Sequence, residues 1–185
     1  MVGGWSACYV LCKDAGGMIV TASTKYKDFA EVEQYISDDE KAKLKAAAEK
    51  QFRNCYALTI DEFFGVTSGD YSLLGDTTDP TVLQVYWLRR FAEFCEEFTK
   101  ACERLQLEPT PEQAQAAQGC VEMSPQESML VFTRDYFGLP SFYAAGLRTI
   151  GEYLTARKDK YNASRVQRNY ENMQRRKLQK YKAKK

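Results

Sequence analysis

Histidine is absent from the 185 residues of this chain, and this absence narrows the chemistry that the chain can perform. General acid–base catalysis and nucleophilic triads rely largely on histidine, so the commonest catalytic arrangements are excluded. The six cysteines include no CxxC pair, and without histidine they are poorly suited to a zinc site. We therefore expect neither a metal nor a cofactor.

Phosphate-binding loops are missing as well. The chain contains neither GxGxxG nor GxxxxGK[ST], and its Gly16–Gly17 pair is typical of a turn. Acidic clusters occur at residues 38–40, 61–62 and 96–97; two fit the first turn of a helix, and the third lies beside an apolar stripe on the solvent side. We interpret the protein as non-enzymatic. The competing hypothesis, a metal-dependent enzyme, needs three or more acids from distant segments to converge.

Long apolar runs are also lacking. No stretch approaches the roughly 20 apolar residues of a membrane-spanning helix, and the first residues carry no basic leader before their short apolar run. Cys95 and Cys102 are seven residues apart, too far for a disulfide within one helix, and we expect the cysteines to be reduced thiols. The sequence thus predicts a cytoplasmic protein in a reducing compartment, without membrane contact.

Helix-capping signals recur along the chain, and they predict a mainly α-helical, multi-helix, bundle-like domain. Each signal places a Ser, Thr or Asp where the first turn of a helix has free N–H groups. The signals stand at Ser37–Glu40, Thr59–Glu62, Asp79–Pro80, Thr110–Pro111, Ser124–Pro125 and Thr149–Glu152.

Residues 80–105 form the clearest helical pattern. Asp79 is placed as the N-cap and Pro80 as the first helical residue, and apolar residues then repeat at steps of three and four. This pattern predicts the core helix of the domain. A shorter helix is predicted over residues 27–36.

The first 23 residues fit two patterns. Residues 5–12 and 18–21 resemble two short strands around a turn, whereas Trp5, Cys8 and Cys12 also lie on one helical face. The composition favours a short N-terminal β-hairpin, and the helix stays open as the alternative.

Charge divides the chain into two parts that the net charge of +1 conceals. Residues 157–185, here called the arm, hold twelve Lys or Arg and two acids, so the arm is near +10 and residues 1–156 near −9. This division predicts an acidic, mainly helical globular domain over residues 1–156 and a basic arm. No proline follows Pro140, so the last helix is expected to run from Ile150 to about residue 182 and to protrude.

The arm is the first candidate binding site. Its cations are interleaved with three tyrosines. This composition suits binding to an acidic protein surface, or to a nucleic acid whose phosphates pair with the cations and whose bases stack on the rings. A solvated helix end that complements its own dipole is the third interpretation. The residues predicted to bind a partner, whether protein or nucleic acid, are Arg165, Arg168, Tyr170, Met173, Arg175, Arg176, Lys177, Lys180 and Tyr181.

An apolar segment before the arm is the second candidate. Most of residues 123–142 must enter the core of the domain, because the segment is rich in large apolar residues. If another helix already fills that core, some of these side chains form an exposed patch for a partner protein. The candidates are Phe132, Tyr136, Phe137, Phe142 and Tyr143.

Part of this region carries a family resemblance. Residues 137–142, with the letters FGLPSF, and residues 148–154, with the letters RTIGEYL, are followed by Ala156, Arg157 and the basic arm. This arrangement resembles the closing segment of small helical proteins encoded in phage and prophage morphogenesis clusters, including tail assembly chaperones. The resemblance covers about 40 residues at the C-terminal end.

The resemblance implies a virion assembly factor that acts in the cytoplasm of a bacterial host. Such a protein covers an aggregation-prone surface of another virion or tail component, for example a tape measure, until assembly. The sequence therefore leads to one principal hypothesis, a non-catalytic phage assembly protein that binds protein. The alternative hypothesis is a nucleic-acid-binding protein that uses the arm.

Overall fold

Strands and helices are described by the computed structural model for residues 10–12 and 18–182, and side chains for residues 19–180. β1 (Val10–Cys12) and β2 (Met18–Val20) pair in antiparallel register, with Leu11 opposite Ile19. The hairpin predicted near the N-terminus is therefore present. Residues 5–9 of the predicted first strand and the turn predicted around Gly16–Gly17 lie outside the described part of the chain.

The remaining elements are helices, so the protein is mainly α-helical as the capping pattern predicts. Single 3-10 turns lie at Glu33–Tyr35, Cys55–Ala57 and Ser72–Leu74. The α-helices within residues 18–182 are α1 (Tyr26–Phe29), α2 (Asp38–Gln51), α3 (Ile60–Thr67), α4 (Val82–Arg104), α5 (Pro111–Ala116), α6 (Pro125–Phe137), α7 (Phe142–Gly146) and α8 (Ile150–Lys182).

Reciprocal capping boxes explain where most of these helices begin. In each box the N-cap hydroxyl accepts a hydrogen bond from the backbone N–H three residues on, and the side chain there accepts one from the N-cap N–H. Two donors that would otherwise lack partners are satisfied within four residues. Complete boxes open α2, α3, α5 and α6, and Thr149 with Glu152 opens α8 in the same way.

The start of α4 differs from the predicted one. The helix begins at Val82, because Thr81 and Gln84 form a capping box: the Thr81 N–H donates to Gln84 Oε1 at 2.7 Å, and the Gln84 N–H donates to Thr81 Oγ1 at 3.3 Å. Pro80 stays outside, where its carbonyl accepts from the Tyr26 N–H at 2.8 Å. Pairing with a distant segment therefore outweighs the local Asp–Pro signal.

Residues 27–36 also differ from the prediction of one helix. They form α1 and then a separate 3-10 turn at Glu33–Tyr35. The break brings the Glu33 carboxylate to the hydroxyls of Tyr26 and Tyr86, both of which donate to it. A tertiary contact thus replaces the last turns of a regular helix.

Two compact units make up the chain, one ending at Glu97 and the other beginning at Phe98. The boundary falls within α4. In the sequence, residues 1–97 carry a net charge of −6 and residues 98–185 a net charge of +7. The charge step at residue 157 therefore lies inside the second unit, within α8.

Aromatic side chains dominate the core of the first unit. Trp87 is fully buried and stacks on Phe91 with ring centroids 5.5 Å apart, and its indole N–H donates to the Arg53 carbonyl at 2.8 Å. Phe63 from α3 contacts both Phe91 and Phe94. The predicted apolar repeat of α4 is thus the side of the helix on which this core forms.

Glu33 forms the main polar cluster of the same unit. Besides the two tyrosine hydroxyls, it accepts hydrogen bonds from the Arg89 guanidinium, which also lies over the Tyr86 ring at 5.1 Å. Burial alone raises the pKa of Glu33, but the hydrogen bonds from Arg89, Tyr26 and Tyr86 outweigh burial and hold the pKa below its usual value.

The core of the second unit is smaller and is formed largely by α6, α7 and the first turns of α8. Met129, Ala145, Ile150, Tyr153 and Ala156 are buried. Beyond residue 157 most α8 side chains are exposed. No helix among the described residues is both long and apolar enough to cross a membrane.

We predict that Glu33→Gln lowers the free energy of unfolding by about 2 kcal/mol at pH 7, because it removes a largely buried carboxylate that accepts hydrogen bonds from two tyrosine hydroxyls and a guanidinium. The pKa of Glu33 is lowered by folding, so its charge stabilises the fold above the usual pKa of 4.5, and this contribution is lost as the pH falls through the lower folded value. Urea unfolding at pH 7 and at pH 3 measures the difference, which should shrink at the lower pH.

Glu97→Gln is the matched control. Glu97 pairs with Arg90 at 3.1 Å but is half exposed, so its loss should cost below about 1 kcal/mol. Equal effects of the two substitutions would show that the Glu33 cluster is not a special source of stability.

Candidate functional site

Every residue predicted to bind a partner belongs to the second unit. Gly138 ends α6 in the left-handed conformation, with φ of 62°, and the Leu139 N–H then donates to the Arg134 carbonyl at 2.9 Å. Ser141 caps α7 through the Ala144 N–H. The chain therefore turns sharply between α6 and α7 and brings the end of one helix to the start of the next.

Large apolar side chains are exposed at this turn. The exposed fractions are 41% for Tyr136, 48% for Phe142, 73% for Tyr143 and 53% for Leu147. We call these four residues the α6–α7 patch. Single exposed apolar residues are normal on a protein surface, whereas four of them between the end of α6 and the residue after α7 form a candidate interaction site.

Two arginines border the α6–α7 patch. The Arg134 guanidinium lies 4.7 Å from the centre of the Phe142 ring, and Arg148 lies 5.0 Å from the centre of the Phe137 ring. Arg148 also pairs with Glu152 at 3.0 Å. The patch is thus an apolar surface with a basic edge, a combination that favours an apolar partner segment carrying acidic residues.

The other two predicted apolar residues, Phe132 and Phe137, have packing roles. Phe132 is half-buried, meets Tyr153 of α8 edge-on with ring centroids 5.6 Å apart, and lies under the Arg157 guanidinium at 5.4 Å. Phe137 is half-buried against Tyr136. Of the five candidates, Tyr136, Phe142 and Tyr143 are therefore the ones available to a partner.

Tyr136 also connects the patch to α8. Its hydroxyl donates to Asp159 Oδ2 at 3.1 Å, and desolvation together with this hydrogen bond raises the pKa of Tyr136. Asp159 is one of the two acids of the arm. The first turns of the arm are therefore in contact with the α6–α7 region.

Further along α8, the predicted arm residues are exposed. Arg165, Arg175, Arg176, Lys177 and Lys180 form no ion pair with any residue in the described part of the chain. Tyr170 and Met173 are 54% and 55% exposed, and with Val166 they lie on one face of the helix. The Tyr181 side chain lies outside the described residues.

Arg168 differs from the other arm cations. It is half-buried, and its guanidinium donates to the Glu108 carbonyl at 2.7 Å and to Gln113 Oε1 at 3.4 Å. The Thr110 N–H donates to the same Gln113 oxygen at 3.0 Å. The arm is therefore attached to the loop that follows α4 as far along as Arg168.

A cleft of about 870 Å³ lies between that loop and α8. Three cations and one acid line it, together with two aromatic rings and several amide and hydroxyl groups. The lining residues are Leu105, Gln106, Leu107, Thr110, Gln113, Phe132, Arg157, Lys160, Tyr161, Ala163, Ser164, Gln167, Arg168 and Glu171.

The described cysteines and acids show no arrangement suited to a metal. Within residues 10–12 and 18–182, no three Cys, Asp or Glu residues are grouped so that they could hold a metal ion. Cys55, Cys102 and Cys120 are free thiols; Cys55 is buried, which raises its pKa to about 12, whereas Cys120 is exposed. Burial also raises the pKa of Cys102, although Arg157 opposes this effect.

Sequence patterns did not indicate Leu147, the two bordering arginines or the cleft. Leu147 and Arg148 reach the patch only because the turn at Gly138 reverses the chain. The letters FGLP at residues 137–140 are the one local signal for that turn. The cleft joins residues about 50 positions apart and leaves no local pattern.

Comparison of the chain with protein-family models, with curated proteins and with solved structures gives no match.

We predict that Arg168→Ala loosens the loop at residues 106–114. Loss of a charged hydrogen bond to the Glu108 carbonyl removes on the order of 1.5 kcal/mol, which corresponds to about tenfold faster opening-limited amide exchange. Hydrogen exchange with mass spectrometry measures this rate peptide by peptide. Arg176→Ala is the control, since Arg176 is exposed and should leave the loop unchanged; equal exchange in both variants would contradict the anchoring role.

Proposed function

We propose that this protein is a non-catalytic binding protein that covers an apolar segment of another protein with the α6–α7 patch. The observation that supports this proposal is the exposure of three aromatic rings and one leucine within residues 136–147. Apolar surface that a partner covers is removed from water, and this burial lowers the free energy of the complex.

The size of the patch favours reversible binding. Full burial of a large apolar side chain contributes about 1.5–3 kcal/mol, so the exposed parts of these four residues contribute on the order of 5 kcal/mol. Association itself costs at least about 4 kcal/mol. The patch alone therefore holds a partner weakly, and the basic edge and arm add orientation and association rate. Weak, reversible coverage suits a protein that must release its partner.

The specific form of the proposal is a phage or prophage virion assembly factor of the tail assembly chaperone type, acting in the cytoplasm of a bacterial host. The resemblance of residues 137–154 to such proteins supports it, and those residues include most of the patch. The expected partner is a virion or tail component with exposed apolar helices, such as a tape measure protein.

Co-expression with the products of the neighbouring genes tests this function. We expect one product to be soluble only beside this protein, and Phe142→Ser with Tyr143→Ser to reduce its soluble fraction at least fivefold. Phe142 is about half exposed and Tyr143 largely exposed, so the double variant should keep its helical content, as circular dichroism can verify.

Tyr35→Ser with Tyr71→Ser is the matched control, because these exposed aromatic residues lie in the first unit. It should solubilise the partner as the wild type does. If the two double variants behave alike, the α6–α7 patch is not the binding surface.

Nucleic-acid binding is the second candidate function, because five arm cations are exposed without an ion pair to any described residue. It predicts that a labelled single-stranded RNA binds the full chain but not a chain ending at Ala156. Its affinity should fall steeply with salt, since each neutralised phosphate releases counterions. Fluorescence anisotropy at about 50 and about 200 mM salt measures this affinity. An affinity that is the same at both salt concentrations would exclude this function.

A further inference from the structure

We propose that the cleft between the loop after α4 and α8 binds a short acidic peptide segment of a protein partner. A carboxylate of the peptide would lie against Arg157 and Lys160, and an apolar side chain against Phe132. The inference takes from the proposed function only that the partner is a protein. The site is separate from the α6–α7 patch, with which it shares no residue.

Charge is the first argument for an anionic ligand. Arg157, Lys160 and Arg168 line the cleft with a single acid, Glu171. Arg168 already donates to the loop, whereas Lys160 is exposed and forms no ion pair within residues 19–180. The residues that line the cleft therefore carry three positive charges and one negative charge.

Arg157 is the second argument. Its Nε is shielded from solvent and has no hydrogen-bond acceptor within the described residues, while its guanidinium lies over the Phe132 ring at 5.4 Å. A buried N–H donor without an acceptor is destabilising, because the donor has lost its hydrogen bond to water. A carboxylate is the natural partner of a guanidinium, because two of its N–H groups match the two carboxylate oxygens.

The neutral lining favours a peptide over a small anion. The amide of Gln106 and the hydroxyl of Ser164 supply both donors and acceptors, and these are groups that pair with a peptide backbone. Gln113 Oε1 and Gln167 Nε2 already form hydrogen bonds within the chain. Leucines 105 and 107 and the Phe132 ring add an apolar surface beside them. Peptide recognition commonly combines backbone hydrogen bonds with a few side-chain contacts of this kind.

Acids around the cleft disfavour nucleic acid at this site. Glu103, Glu108 and Glu112 are exposed on or next to the same loop, and Glu171 lines the cleft itself. A phosphate backbone carries a charge at every nucleotide, so an extended strand would approach these carboxylates. A peptide with one or two carboxylates can place them at the cations alone.

The probe for this site is a fluorescein-labelled set of twelve-residue peptides that combine Asp or Glu with Leu or Phe, beside versions in which Asn and Gln replace the acids. We expect at least one acidic peptide to bind the full chain at least tenfold more tightly than its amide version. Lys160→Gln should weaken that binding at least fivefold, since Lys160 is exposed and its loss should not disturb folding.

Lys158→Gln is the matched control, because Lys158 is an exposed neighbour that does not line the cleft; its binding should equal that of the wild type. Equal loss in both lysine variants, equal binding of acidic and amide peptides, or no binding by any peptide would each overturn the proposal. So would a twelve-nucleotide RNA that displaces the peptide more effectively than unlabelled peptide does.

The variant with Phe142→Ser and Tyr143→Ser separates the two sites. It should bind the acidic peptide as the wild type does, even though it fails to solubilise the apolar partner. Loss of peptide binding in this variant would show that the cleft is not an independent site. Normal solubilisation by Lys160→Gln would leave the α6–α7 patch supported whatever the peptides show.

Discussion

Phe132 is the contact on which the two proposed binding surfaces of the second unit depend. Its ring stacks on Tyr136 with centroids 5.8 Å apart, meets Tyr153 of α8 edge-on, and supports the Arg157 guanidinium. The same ring lines the cleft. One half-buried side chain thus joins α6 to α8 and sets the position of the α6–α7 patch on one side and of the cationic cleft on the other.

The arm is better understood as two sets of cations than as one basic tail. Arg157 and Arg168 are held against the second unit, by an aromatic ring and by a loop carbonyl. Arg165, Arg176 and Lys177 are exposed on α8. The first set is fixed by contacts within the unit, whereas the second set presents positive charge to the solvent, where under the proposed function it would steer a partner.

Helix starts were predictable from the sequence because a capping box is satisfied within four residues. The start of α4 was predicted two residues too early, because two capping signals follow each other there. The helix uses the Thr81–Gln84 box and not the Asp79–Pro80 signal. The helix predicted over residues 27–36 failed for a different reason: Glu33 joins side chains more than 50 positions away. No local sequence pattern indicates such a contact.

The exposure of Tyr136, Phe142 and Tyr143 was predicted from the sequence as a hypothesis. The cleft could not be predicted in this way, because it depends on segments that meet only in the folded chain.

The burial of Trp87 has a spectroscopic consequence. The two tryptophans of the chain are Trp5 and Trp87, so the second unit contains none. Indole emission therefore reports only on the unit that ends at Glu97, whereas the twelve tyrosines are divided equally between the two units. If the two units lose their structure at different denaturant concentrations, the indole signal will follow only the first unit, and a single transition measured by it will describe half of the molecule.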